Sequence, residues 1–278
     1  MITSNAKRYP VSAQCELLGV PRATYYALKD KINQPPPKDP MTDDVKRVFE
    51  ESRSLYGTRK IKAVLASEGK TISRPRIAKI MKRENLTSAY RKAKYKNHKP
   101  KVNEADTPNV IDRNFNGYAP QTHLASDLTY VRVKDRWCYV CLIIDLYNRE
   151  IVGHAASNKK DARLVKSALA TLDFPLTNVE VFHTDRGSEF DNKELSEVFD
   201  TFDIKQSLSA KGCPYDNAVV ESTNKILKEE FVYLEKFKAL YELQLKLSDY
   251  VYWYNHKRVH ATLGYLSPID FRKSSKTL

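Results

Sequence analysis

Between His123 and Ala155 three strand-like runs are joined by links too short to cross from one end of a sheet to the other. His123 to Val133 alternates and is rich in β-formers, Lys134-Asp135-Arg136 makes a turn, and Trp137 to Asp145 reads as a buried strand. Glu150 to Ala155 is a third short strand, and links this tight force the three to run antiparallel. The pattern then changes to strands followed by helices. Ala162 to Leu172 is an amphipathic helix, Val179 to Thr184 a strand, Lys193 to Phe202 a helix and Ile204 to Ser207 a last short strand. Gly212 and Pro214 mark a loop before a long helix from Asn217 to Phe231, and another helix spans about Leu240 to Tyr254. The longest apolar run, Trp137 to Ile144, is far too short to span a bilayer.

Acidic residues fall at telling places in this pattern. Asp127 lies inside the first strand, Asp185 ends the fourth, and Glu221 sits one turn into the long helix, with 35 residues between the last two. They converge if the first and fourth strands are neighbours. Oxygen-only sites of this kind suit Mg²⁺ or Mn²⁺ and, with two ions, in-line phosphoryl transfer. A single Asp is usually a turn or cap residue, so the set carries the inference. On the helix, Glu221, Lys225 and Lys228 stand at i, i+4 and i+7, bordered by Asn224. That face could hold a metal and steer a phosphate backbone, although standing alone it would read as a surface ion-pair ladder. Asp145 also ends a strand and reads as structural. Cys138 and Cys141 are three apart in a strand and point to opposite faces, with no second ligand pair at zinc spacing, so they read as buried thiols.

Charge divides the chain. Residues 1–114 hold 25 Lys and Arg against 12 Asp and Glu, while residues 115–278 hold 22 of each. A basic region beside a neutral one suggests that the first grips a polyanion, and nucleic acid fits best because no basic amphipathic helix suited to a membrane appears. The expected domains are a helix-turn-helix at 1–34, a Pro-rich linker at 35–40, a second helix-turn-helix at 41–90, a basic linker at 91–114 and a catalytic core at 115–278. In the first unit Ser12 caps a helix through Leu18, and the second helix presents Arg22, Thr24 and Tyr25 to a groove. Alone, this segment reads equally as a plain helical hairpin. In the second unit Thr42 opens a helix to about Ser54, Arg59 and Lys60 lead into the next, and Ser73 caps a helix bearing Arg74, Arg76 and Lys79 opposite an apolar side. Lys94 and Lys96 in the basic linker could track phosphates. The N-terminus has no apolar signal core, so a cytoplasmic protein is expected.

Taken together, Asp127-Leu128-Thr129, His183-Thr184-Asp185-Arg186-Gly187-Ser188 and Asp216-Asn217-Ala218 through Glu221 resemble the catalytic triad of DDE transposases and retroviral integrases. The tail from Tyr254-Asn255-His256-Lys257-Arg258 to Ser267-Pro268 resembles that of the bacterial insertion-sequence-three (IS-three) family, as does Tyr56-Gly57-Thr58-Arg59-Lys60-Ile61. The resemblance implies an α/β, RNase H-like core with a mixed five-stranded sheet, preceded by all-α helix-turn-helix units. It implies Mg²⁺-dependent cleavage at element ends (two ions, with Mn²⁺ able to substitute) and attack of the freed 3′-hydroxyl on another phosphodiester. Asp127, Asp185 and Glu221 would be the metal ligands, Lys225 and Lys228 would contact element-end DNA, and His183 and Asn217 would stand behind the ligands. The implied partners are double-stranded DNA of terminal inverted repeats and target, further copies of the chain, and an upstream-frame segment; the implied place is the bacterial nucleoid. Leu124 stands where the family usually has Trp, and the chain lacks a sustained heptad pattern, so it resembles a second-frame product. Two other readings stay open: a same-fold nuclease that cuts without joining, and a DNA-binding regulator with an inert core.

Overall fold

The computed structural model describes residues 2–33, 38–90, 109–111, 117–210 and 217–275, with side chains of 31–33 left aside. Most of the expected basic linker, with Lys94 and Lys96, residues 34–37 of the Pro-rich stretch and the loop 211–216 lie outside the described residues. The chain divides into two compact units, Met1–Asp43 and Asp44–Leu278.

The first unit contains α1 (Ile2–Asn5), α2 (Val11–Leu17) and α3 (Arg22–Asn33). Pro10 precedes α2 with no side-chain cap, and Ser12, expected as the cap, lies inside the helix. Cys15 and Tyr25 are buried where α2 and α3 meet.

Three helices follow along the chain, α4 (Thr42–Glu51), α5 (Thr58–Ser67) and α6 (Arg74–Arg83). α4 stops three residues earlier than expected, because Arg53 and Ser54 adopt left-handed backbone. Ser73 caps α6 as expected, its hydroxyl accepting from the Arg76 amide, while Ile77, Ile80 and Met81 are buried.

The sheet follows: β1 (His123–Val133), β2 (Arg136–Asp145), β3 (Ile151–Ser157), β4 (Val181–Thr184) and β5 (Lys205–Leu208). Its order is β3-β2-β1-β4-β5. β1 pairs antiparallel with β2 and β2 with β3, whereas β4 runs parallel to both β1 and β5. The mixed five-stranded sheet is therefore as expected. The first and fourth strands are neighbours, the condition the carboxylates required.

Helices cover both faces. α7 (Ala162–Leu169) and α8 (Lys193–Thr201) bury Leu164, Val165, Leu195 and Phe199 against Leu124, Cys141, Ile143 and Phe182. Gly153 admits this packing, because a Cβ there would stand 2.7 Å from the Ala168 carbonyl oxygen. On the opposite face, α9 (Ala218–Leu227) sets Val220 against Ala125, Ile144 and Val181. The long helix expected to run to Phe231 changes at Lys228 to a π-helical turn, Lys228–Val232, which buries Glu229, Glu230 and Phe231. α10 (Leu240–His256) packs against β3, and α11 (Pro268–Ser275) against α10.

The segment that begins at α4 docks on α10. The Trp253 indole donates to the Glu51 carbonyl at 3.1 Å, and Arg53 pairs with Asp249 at 2.9 Å. The Tyr56 hydroxyl accepts from the Val259 amide at 2.7 Å and donates to the Lys257 carbonyl at 3.3 Å. Beneath it Arg258 and Glu230 form a buried two-pronged ion pair, at 2.6 and 2.8 Å. Arg258 Nη1 also points at the His260 ring, and burial with the Arg258 charge holds His260 neutral, its pKa pushed down to about 2.

Candidate active site

The parallel pairing of β1 with β4 builds the site. Ala125 is opposite His183, so two residues further on Asp127 and Asp185 leave neighbouring strands on the same face. That face is the one α9 covers, and α9 brings Glu221 in its first turn.

Asp127 is half-buried; its Oδ1 accepts from the Leu128 amide at 2.8 Å and its Oδ2 from the Asn224 side-chain amide at 2.8 Å. Asp185 Oδ1 accepts from the Gly187 amide at 3.0 Å, which closes the turn after β4. Glu221 is exposed. Burial pushes the Asp127 carboxyl up to about 7, and the charge of Asp185, then of Glu221, adds to the effect. Asp185 is raised by burial and by Glu189, and Glu221 by burial and by Asp185. The three acids thus stand within each other's fields. Among the described residues no three His, Cys, Asp or Glu side chains form a ready-made metal cluster. The donor set still fits a hard divalent cation: all three groups are carboxylates, and each is destabilised in its charged form by burial and by a neighbouring acid.

Lys228 is half-buried at the end of α9, lowered by burial while the Asp127 charge pulls it upward, so its ammonium lies within the field of Asp127. Lys225 is exposed on the same helix. His183 is buried, its Nδ1 2.8 Å from the Ser207 hydroxyl and its Nε2 3.2 Å from that of Ser209. Both ring nitrogens are thus engaged on the β5 side. Asn217 is buried at the start of α9, and its Oδ1 has no hydrogen-bond partner among the described residues. Asp145 is fully buried and accepts the amides of Gln121 and Tyr147, in keeping with a structural role. Cys138 and Cys141 are buried and free, also as read.

Two further groups shape the site, Asn224 and Glu189. Asn224 was read only as a border residue, yet it holds Asp127; its place three residues after Glu221 was the available signal. Glu189 is buried and paired with Lys160 at 2.9 Å, and a side chain on Gly187 would run into its carboxylate.

The expected DNA contacts separate by exposure. Arg22, Thr24, Arg59, Arg74, Arg76 and Lys79 are exposed. Tyr25 is not: at 7% exposure it belongs to the core of the first unit, and its neighbour Tyr26 is the open ring. Lys60 is half-buried, its ammonium 4.9 Å from the Tyr56 ring centroid; burial and then the Arg258 charge push it down to about 8. Its place is the seam with the core, because it stands on the inner side of α5 beside Arg258.

Among the described residues no helix is long and apolar enough to cross a membrane. Comparison with known proteins agrees with this architecture. The integrase core domain family matches residues 117–214, a second integrase core family matches 221–275, and an HTH-like domain family matches 38–94. The chain is 31% identical over 237 residues to the transposase for insertion sequence element IS904 of Lactococcus lactis, covering 84% of this chain and 93% of that protein. It is 29% identical over 269 residues to the putative transposase InsK for IS150 of Escherichia coli K12, covering 96% and 95%. It is 27% identical over 285 residues to the transposase InsF for IS3A of the same organism, covering 99% and 98%. Among solved structures, the HTLV-2 integrase catalytic core domain in complex with magnesium aligns with a TM-score of 0.44 at 18% identity, covering 56% of this chain and 98% of that one. The chain belongs to the IS-three family of insertion-sequence transposases, with an integrase-type α/β core and an HTH-like region ahead of it.

Proposed function

We propose that the protein cuts DNA at the ends of an insertion sequence and joins the freed 3′-hydroxyl to a second phosphodiester, with Asp127, Asp185 and Glu221 as its catalytic acids. The observation that carries this is the convergence of three carboxylates: Asp127 and Asp185 leave adjacent parallel strands on one face of the sheet and α9, packed on that face, brings Glu221, so that burial and the neighbouring acids push Asp127 up to about 7. Acids gathered without a counter-cation cost stability, and holding divalent cations is the use that explains the cost. The three would hold two Mg²⁺ ions, or Mn²⁺ in their place. Such ions supply activation of the attacking oxygen and stabilisation of the leaving one.

The remaining residues bind and orient. Asn224 fixes the rotamer of Asp127, and the Gly187 amide fixes that of Asp185. Lys225 and Lys228 hold the phosphate backbone beside the acids. Arg74, Arg76 and Lys79 form the exposed side of α6 and hold terminal-repeat DNA, with Arg22, Thr24 and Arg59 as further contacts. Two ends must be brought together, so the working form is a dimer or larger, aided by an upstream-frame segment.

Incubation with labelled terminal-repeat DNA and Mg²⁺, beside an Asp185→Asn variant, tests this reading. Joined products that vanish in the variant support it. Cutting without joining indicates a nuclease, and binding without either indicates a regulator with an inert core.

A further inference from the structure

The outward face of the β1–β2 hairpin has no role in the reading above. Tyr130 pairs with Tyr139 and Arg132 with Trp137 across the strands, so all four side chains share one face. The rings of Tyr130 and Trp137 meet edge to face at 6.5 Å, those of Tyr130 and Tyr139 at 5.8 Å, and the Arg132 guanidinium lies 5.3 Å from the Trp137 ring centre. Yet Tyr130 is 54% and Trp137 55% exposed. Rings that only locked the hairpin would not need to leave half their area in water.

The charge around them is one-sided. Residues 115–278 are neutral overall, but among the described residues Arg132 shares this face, Lys134 and Arg136 flank the turn at its end, and Lys159 and Lys160 follow the neighbouring strand; against these five cations stand exposed Asp135, half-buried Asp161 and the buried Glu189 that pairs with Lys160. Lys159 and Lys160 follow Ser157, the β3 partner of Tyr139. Lys160 links the patch to the catalytic acids: it pairs with Glu189, in the turn that begins at Asp185. Aromatic rings interleaved with cations are the surface that holds single-stranded nucleic acid, the rings taking bases and the cations the backbone. A second copy of this chain would bring the same cations against themselves, whereas a polyanion complements them.

We propose that Trp137 and Tyr130 form a stacking platform for unpaired bases of the DNA on which Asp127, Asp185 and Glu221 act. It rests on the DNA-joining reading and adds a second contact to it. The bases could come from an opened element end or from a distorted target, and both present the same exposed π-face.

The test uses the full chain and its own fluorescence. Trp253, the other tryptophan, is 5% exposed and serves as a background that a Trp137→Phe protein subtracts. Four duplexes are titrated: fully paired, with an unpaired end, with an internal mismatched bubble, and with abasic sites at the unpaired positions. Quenching of Trp137 by the unpaired end or the bubble, lost with abasic sites, supports the platform, and whichever of the two quenches identifies the source. Trp137→Ala should then lose about fivefold or more in preference for unpaired over paired DNA, the scale of one base–aromatic stack. Its thermal melt should fall by no more than a few degrees, since about half of the ring is exposed and its contacts are confined to the hairpin. Equal quenching by abasic and base-bearing DNA overturns the proposal, as does quenching that grows with protein concentration in the absence of DNA. If paired DNA binds normally in that case, the joining reading survives; if no DNA binds, both fall.

Discussion

The side-chain amide of Asn224 in α9 donates a 2.8 Å hydrogen bond to Oδ2 of Asp127 in β1. The helix that carries Glu221 is thereby tied to the strand that carries the first acid. Removing this bond should loosen Asp127 without touching the DNA contacts. Asn224→Ala is expected to lower strand joining by about 10- to 100-fold, the usual effect of losing a group that orients a metal ligand. DNA affinity in a gel-shift assay should stay within about twofold, a small change beside that loss. A parallel fall in both would show that Asn224 serves binding instead.

The raised Asp127 carboxyl makes the metal-free protein sensitive to pH. The unfolded chain releases that proton near pH 4, whereas the folded chain keeps it until about 7. Stability therefore falls as pH rises between those values. Asp127→Asn removes part of this decline and should raise the melting temperature by a few degrees at about pH 8, relative to wild type without divalent ions. Mg²⁺ should stabilise wild type there and the variant much less. Parallel melting curves from about pH 5 to 8 would contradict the assignment.

The cations of α9 and α6 should differ from Lys60. Lys228→Ala and Arg76→Ala are each expected to weaken end binding and reduce the salt slope by about one. Lys60→Gln should leave the slope unchanged, because that side chain is turned against Tyr56 and the core. Fluorescence anisotropy across a salt series distinguishes them.

The Arg258–Glu230 pair is 6% and 2% exposed in its side chains. Glu230→Gln strands the guanidinium and should cost about 3–5 kcal/mol of stability in urea unfolding. Tyr56→Phe removes two hydrogen bonds at the same seam and should cost about 1–3 kcal/mol. Limited proteolysis should then proceed faster than in wild type. Unchanged proteolysis would show that the seam holds little.

Much of this was readable from residue order. Tight links at Lys134-Asp135-Arg136 required antiparallel β1 and β2, and Ser73 announced α6. The spacing of Asp185 and Glu221 pointed to one site, and the sheet order supplies the adjacency that it needed. What escaped was set by tertiary contact. Whether Tyr25 or Tyr26 faces water depends on how α2 meets α3, and both rings look alike in sequence. Lys60 reads as a basic surface residue until α10 and Arg258 are in place. Nor does local sequence explain the π turn at Lys228, since Lys228 to Val232 contains no Pro or Gly. It goes with burial of Glu229 and Glu230, the latter on Arg258.

If Asp127, Asp185 and Glu221 hold the cations that act on the scissile phosphodiester, the leaving oxygen must sit on one of those cations. Replacing the 3′-bridging oxygen at the cleavage position with sulfur probes that contact. Oxygen-bridged DNA should be cut with either Mg²⁺ or Mn²⁺. The sulfur-bridged strand should be cut poorly in Mg²⁺ and recover at least about tenfold in Mn²⁺, which accepts sulfur more readily, and Glu221→Gln should abolish that recovery. Equal cutting of the sulfur strand in both metals, or recovery that survives Glu221→Gln, would show that these acids do not hold the cation at the leaving oxygen.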